Sequence, residues 1–108
     1  MARDSELVNY NGAGDKTFEI TSTSPHARIV NIRKVRIYND SSEAITLTIS
    51  KKAESSGGYR VVEKKTVAPE QSANLCRFWP IDDSSDGFKV SWTQAGGDVN
   101  LSYVWSSS

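Results

Sequence analysis

The chain carries one histidine, His26, and one cysteine, Cys76. A nucleophilic site needs a base beside its nucleophile, with a third group to orient the base. His26 stands in Ser24-Pro25-His26-Ala27, a turn sequence, and no Gly-x-Ser-x-Gly elbow accompanies it. Cys76 lies in a run with Leu75 and Phe78 and reads as a small buried side chain. One His and one Cys cannot supply the nitrogen and sulfur ligands of a zinc site. Gly96-Gly97 is followed by neither Lys-Ser/Thr nor a helical pattern, so no phosphate loop is present. Asp82-Asp83-Ser84-Ser85-Asp86-Gly87 is more suggestive. Asp82, Ser84 and Asp86 are oxygen donors at alternate positions ahead of a Gly, as in the opening of a calcium loop. Thr93 stands where that loop needs its final carboxylate, and the residues after Gly87 alternate like a strand. Asp, Ser and Gly are also turn formers, so a solvated turn is the simpler of the two readings. These residues predict a protein that is not an enzyme and needs no cofactor.

What remains is binding chemistry. Three tryptophans and four tyrosines are the richest feature. Trp92 and Trp105 share the parity of the apolar positions around them and are expected in the core. Trp79 differs. It ends the run Cys76-Arg77-Phe78-Trp79-Pro80, and aromatics beside an Arg are typical anchors of protein interfaces. Arg77, Phe78 and Trp79 are therefore candidate interface residues, although Phe78 or Trp79 could equally pack over one end of the fold. Arg33, Lys34 and Arg36, with Arg28 before them, form a basic cluster. It reads either as an edge strand guarded by charge or a solvated face with acidic neighbours, or as a contact for an acidic protein surface or nucleic acid.

The elements that would hold these residues are strands. No segment keeps a 3.6-residue period over three turns, and alternation dominates. Residues 7–10, 16–20, 28–38, 44–50, 59–67, 72–79, 88–93 and 99–105 are the strand candidates. Turn clusters rich in Gly, Asn, Asp, Ser and Pro separate them. The last two runs are joined by Gln94-Ala95-Gly96-Gly97-Asp98 and read as a β-hairpin. Within 28–38 the alternation changes phase: Val30 and Ile32 share one parity, Val35 and Ile37 the other. An extra residue, and hence a bulge or corner, is expected near Arg33-Lys34. The whole pattern predicts an all-β, two-sheet antiparallel sandwich of about eight strands, either jelly-roll or immunoglobulin-like.

The chain has 108 residues, enough for one domain over 1–108. Residues 1–6 carry charge and no apolar run, and are expected to form a flexible N-terminal arm. Thirteen basic and thirteen acidic residues balance, which argues against a nucleic-acid partner and against docking on a membrane. A lone cysteine forms no internal disulfide, and no signal peptide is legible at the start. These features lead us to expect folding in a cytoplasm. The hydrophobic fraction of 37% implies a thin core, of the kind that oligomerisation often completes.

Several segments together carry a resemblance. They are Val35-Arg36-Ile37-Tyr38-Asn39-Asp40, the Thr-rich run 44–50, the strand 61–67, and the turn Ala68-Pro69-Glu70-Gln71-Ser72. Asp86-Gly87-Phe88-Lys89-Val90-Ser91 and Gly97-Asp98-Val99-Asn100-Leu101-Ser102-Tyr103 complete the set. In this cadence the chain resembles small β-sandwich virion proteins of tailed bacteriophages, such as capsid decoration (cement) proteins and minor tail proteins. The resemblance implies a structural protein made in the host cytoplasm and placed on the capsid surface of the virion. It implies the major capsid protein as partner and a homotrimer as the working unit. A tail, baseplate or adaptor component is the alternative within that resemblance. A carbohydrate-binding module using Trp79 and Tyr59 as stacking platforms is the alternative from another class.

Overall fold

The computed structural model describes residues 2–21, 29–52, 58–76, 79–80 and 87–107, without the side chains of 2–4, 21, 29–31, 33, 76, 79–80 and 106–107. Alternation of apolar and polar residues sends every second side chain to one face, so each amphipathic strand needs a second sheet to cover it. Among the described residues this gives nine strands and no helix. They are β1 (Ala2–Asn11), β2 (Gly14–Thr21), β3 (Ile29–Asp40), β4 (Ile45–Lys52), β5 (Tyr59–Val67), β6 (Ser72–Cys76), β7 (Trp79–Pro80), β8 (Gly87–Gln94) and β9 (Asp98–Ser107). The ninth element beyond the eight expected is the two-residue β7, which pairs with β3 beyond the end of β6.

One sheet has the order β1-β9-β3-β6, with β7 also on β3, and the other β2-β8-β4-β5. Every pairing is antiparallel. The pairs β1–β9, β2–β8, β3–β6 and β4–β5 are nested, as if one long hairpin had been rolled up. This is the jelly-roll order. Of the two sandwich types the alternation allowed, the strand order selects this one.

The order also corrects the expected hairpin of residues 88–93 and 99–105. β8 and β9 lie in different sheets, so residues 95–97 form an arch between sheets. Period two reports which face a side chain takes and says nothing about which strand lies alongside. The arch is held from inside. The buried Gln94 side chain donates to the carbonyls of Tyr10 and Gly97, at 3.0 and 2.9 Å, and accepts from Trp92 Nε1 at 3.0 Å. Gly97 has φ +68°, and a β-carbon there would meet Ser41 at 3.1 Å, so glycine is required by conformation and by space.

The expected N-terminal arm is likewise a strand. β1 pairs with β9 from Ala2↔Ser107 to Asn11↔Asp98. The sequence alone hides this because residues 3–6 are polar, yet an edge strand needs little apolar character when its neighbour supplies the ladder. The expected bulge is present. Ile32 and Val35 both point into the core, and the register against β9 shifts between Arg33 and Arg36. Lys34 absorbs the extra residue with φ +54°. The strand does not leave its sheet there, since β9 pairs with it on both sides of the bulge.

The core is the space between the sheets. Phe18, Ile20, Ile32, Val35, Ile37, Ile45, Leu47, Ile49, Phe88, Val90, Trp92, Val99, Leu101, Tyr103 and Trp105 all face it. Trp92 and Trp105 are buried as their parity predicts. Tyr10 meets Trp92 edge-on at 4.9 Å, and Phe18 meets Tyr103 at 5.1 Å, geometries favoured by the ring quadrupoles.

Candidate interaction face

The register across β1, β9, β3 and β6 aligns the outward side chains in rows. One row is Leu7, Ser102, Arg36 and Asn74; the next is Asn9, Asn100, Tyr38 and Ser72. Leu7 is 71% exposed and Tyr38 39%, so two large apolar groups stand in water on one face. Asn9 Nδ2 donates to Asn100 Oδ1 at 2.7 Å, and Arg36 Nη2 to Ser72 Oγ at 3.0 Å. The second bond fixes the guanidinium along the sheet surface.

The bulge shapes this face. Where the β3–β9 register slips, a depression of about 570 Å³ opens, lined by Ser5, Lys34, Arg36, Asn74, Ser102, Tyr103 and Val104. Val104 of β9 is its apolar outward side chain, and Lys34 and Arg36 make its lining cationic. The left-handed conformation of Lys34 costs a residue with a β-carbon roughly 1–2 kcal/mol. Among the described residues of this face the carboxylates are Asp40 and Asp98, opposite each other at the far end of the sheet, with Asp98 bonded to Asn11. Glu6 has the parity of Val8 and Tyr10, which pack on the core, so it belongs to the other side.

Burial pushes the phenol of Tyr103 up to about 12, helped by the charges of Glu6 and Tyr10. Burial also raises Tyr10. Tyr59 is raised as well, by burial first and then by its hydrogen bond to Glu19 and that carboxylate's charge.

The second outer face is different in kind. Pairing of β4 with β8 stops at Thr48↔Ser91, although both strands continue, and a depression of about 680 Å³ forms there. Its lining is Thr17, Thr46, Thr48, Ser91 and Thr93 with Asp15, Lys16 and Lys89, plus Ala44 and Trp92. These groups bond within the sheet: Thr93 Oγ1 donates to Asp15 at 2.7 Å, and the Thr46 and Thr66 hydroxyls pair at 3.3 Å. The lining of this depression is polar and bonded within the sheet, and the exposed Val61 and Val62 of the same sheet lie on its edge strand β5, outside that lining. The first face differs in setting the cations Lys34 and Arg36 around one depression, with exposed Leu7 and Tyr38 in the adjoining rows.

The structure brings Lys34 and Arg36 together at the depression. Arg33 belongs to the same bulge, its backbone opposite Val104. The backbone of Trp79 on β7 lies beside Ile32, so the strand of the aromatic candidate pairs with the strand that carries the basic cluster. Arg77, Phe78, Asp82, Ser84 and Asp86 lie outside the described residues. Among the described residues no three of His, Cys, Asp and Glu gather as metal ligands would. Tyr59 is no open platform. Its hydroxyl bonds Glu19, and Lys89 Nζ sits 4.4 Å from its ring centroid.

Leu7, Tyr38, Asn74, Ser102 and Val104 are members of the face that residue reasoning missed. A signal existed for Leu7: in Leu7-Val8-Asn9-Tyr10 one apolar residue breaks the parity of the others. No such signal marks Asn74 or Ser102, which are placed by strand order.

No protein-family model matches the chain, and no curated protein sequence matches it. Solved structures do. A Bacillus endospore appendage protein, of a family of disulfide-linked pili, superposes with a TM-score of 0.53 at 14% identity, over 99% of this chain and 88% of that one. PirA superposes with a TM-score of 0.51 at 17% identity, over 94% and 91%. The insecticidal delta-endotoxin Cry8Ea1 of Bacillus thuringiensis reaches 0.47 at 18% identity, over 93% of this chain and 19% of the toxin. At such identities the first two establish a shared all-β fold and nothing further.

Proposed function

We propose that the chain is a non-enzymatic structural subunit that docks on a repeating protein lattice through the outer face of the β1-β9-β3-β6 sheet. The observation that carries this reading is the company of exposed Leu7 and Tyr38 with Lys34 and Arg36 on one sheet face. A solvated sheet face has no need of large apolar groups, and a bundled set of apolar and cationic side chains suits a partner surface. The strand edges are poorer candidates. Glu6 on β1 and Glu63 and Lys65 on β5 occupy inward-parity positions, a device that discourages edge pairing.

In its specific form the lattice is the head of a tailed bacteriophage, with the major capsid protein as partner. The support is the cadence resemblance described above. The mechanism is cross-bracing. A rigid sandwich buries a modest patch on each of several shell subunits, and linked weak contacts multiply the affinity. Binding to the assembled lattice then stabilises it by mass action. Quantitative mass spectrometry of purified particles from the chain's source tests this. A copy number in simple ratio to the major shell protein is expected. Absence from the particles, or a few copies only, overturns the decoration reading.

A further inference from the structure

We infer that the bulge of β3 is a receptor for carboxylate side chains, and that the partner presents an acidic extended segment to it. The inference deepens the docking-face reading and rests on it. The core forces an extra residue between Ile32 and Val35, because both must point inward. It does not dictate that the residue be lysine. At Gly12 and Gly97 the chain meets the same left-handed demand with glycine, the residue that bears it without strain. Lys34 takes it at φ +54°, and strain of this kind gathers where a side chain is needed.

What Lys34 gains there is position. It shares the lining of the depression with Arg36, whose guanidinium is fixed by Ser72. Asn74 and Ser102 add neutral donors on the strands either side of Arg36. A fixed guanidinium, an ammonium and neutral donors around one concavity match the lone pairs of a carboxylate. The apolar Val104 and the exposed Leu7 at the end of the Arg36 row favour an apolar residue next to the acid. Phosphate would suit the cations as well. A nucleic acid would need a longer basic stripe, whereas asparagines flank this site along the sheet.

The test titrates the full chain, observed by NMR, with an extended peptide of alternating glutamate and leucine at low salt. The control peptide has glutamine in place of glutamate. The glutamate peptide is expected to perturb the amides of Lys34, Arg36, Asn74 and Ser102. Binding should weaken about tenfold in Lys34→Gly and in Arg36→Gln, the loss of one charge-assisted contact. Lys34→Gly should at the same time melt about 4 °C higher or more, its strain relieved. Glu70→Gly, which relieves a φ of +60° elsewhere, should melt higher and bind as the parent does. Equal binding of the glutamine peptide overturns the inference, as does unchanged binding by Lys34→Gly. Tighter binding of a duplex oligonucleotide at the same amides also overturns it. Lattice binding that survives Lys34→Gly while peptide binding is lost overturns the carboxylate contact alone and leaves the docking face standing.

Discussion

Asn39 is fully buried and polar, and it spends every group it has. Its Nδ2 donates to the carbonyls of Glu43 and Val67, at 2.9 and 3.0 Å. Its Oδ1 accepts from the Ser41 amide at 3.1 Å and the Ser41 hydroxyl at 2.6 Å. Its backbone bonds Gln71 and Glu70, extending the β3–β6 ladder past Tyr38↔Ser72. One residue thus clamps two connections between the sheets. Asn39→Ala would leave buried acceptors unsatisfied, so a loss of about 2–4 kcal/mol is expected in urea unfolding. A loss below about 1 kcal/mol would mean that water replaces the clamp. This role was half legible. Asn39-Asp40-Ser41-Ser42 reads as a turn, and Asn39 shares the parity of Val35 and Ile37. Nothing in the sequence pairs it with Val67, which lies on another strand. At the same scale Lys34 and Arg36 were legible as a local basic cluster. Their hold on a concave site was not, because Ser102 and Asn74 join them only through register.

At the level of elements, alternation located the strands, most of them within two residues of their ends but not the start of β1, and the phase slip located the bulge. Parity is a direct consequence of burial, so it survives in the sequence. Partnership between strands does not. The run from β8 to β9 looks like a hairpin because its turn chemistry serves an arch equally well, and Gln94 closes that arch with side-chain bonds that no motif announces. The same blindness turned the polar start of β1 into an expected arm. The pairing of β1 with β9 has an alkaline consequence. Tyr103 on β9 is protonated and buried, with its phenol pushed up to about 12 against about 10 in an unfolded chain. The native state thus holds the proton more tightly. The stability this contributes is complete below pH 10 and fades as the pH climbs from 10 toward 12. Tyr10 and Tyr59 are shifted in the same direction. Tyr103→Phe should therefore retain more of its neutral-pH stability at pH 11 than the parent does, as followed by thermal melts. Equal losses in both proteins would assign the alkaline transition to other groups.

For the whole molecule, the two sheets follow from composition and period alone, since strands with one apolar face must be covered by other strands. The jelly-roll order does not follow, because it depends on which strands meet. The order is nonetheless what makes the proposed site. It sets β1, β9, β3 and β6 side by side and so assembles Leu7, Ser102, Arg36 and Asn74 into one row. It also places the connections at 11–14, 40–45, 67–72 and 94–98 at one end, where Asn39, Gln94 and the Gly12–Gly97 bond tie them together. The most direct measurement is co-sedimentation of the purified chain with shells stripped of it. Saturation at a fixed ratio to the shell protein is expected, with loss of binding in a Leu7→Glu, Arg36→Glu double variant that still melts cooperatively. Saturable binding that is unchanged in that variant would contradict the proposed docking face.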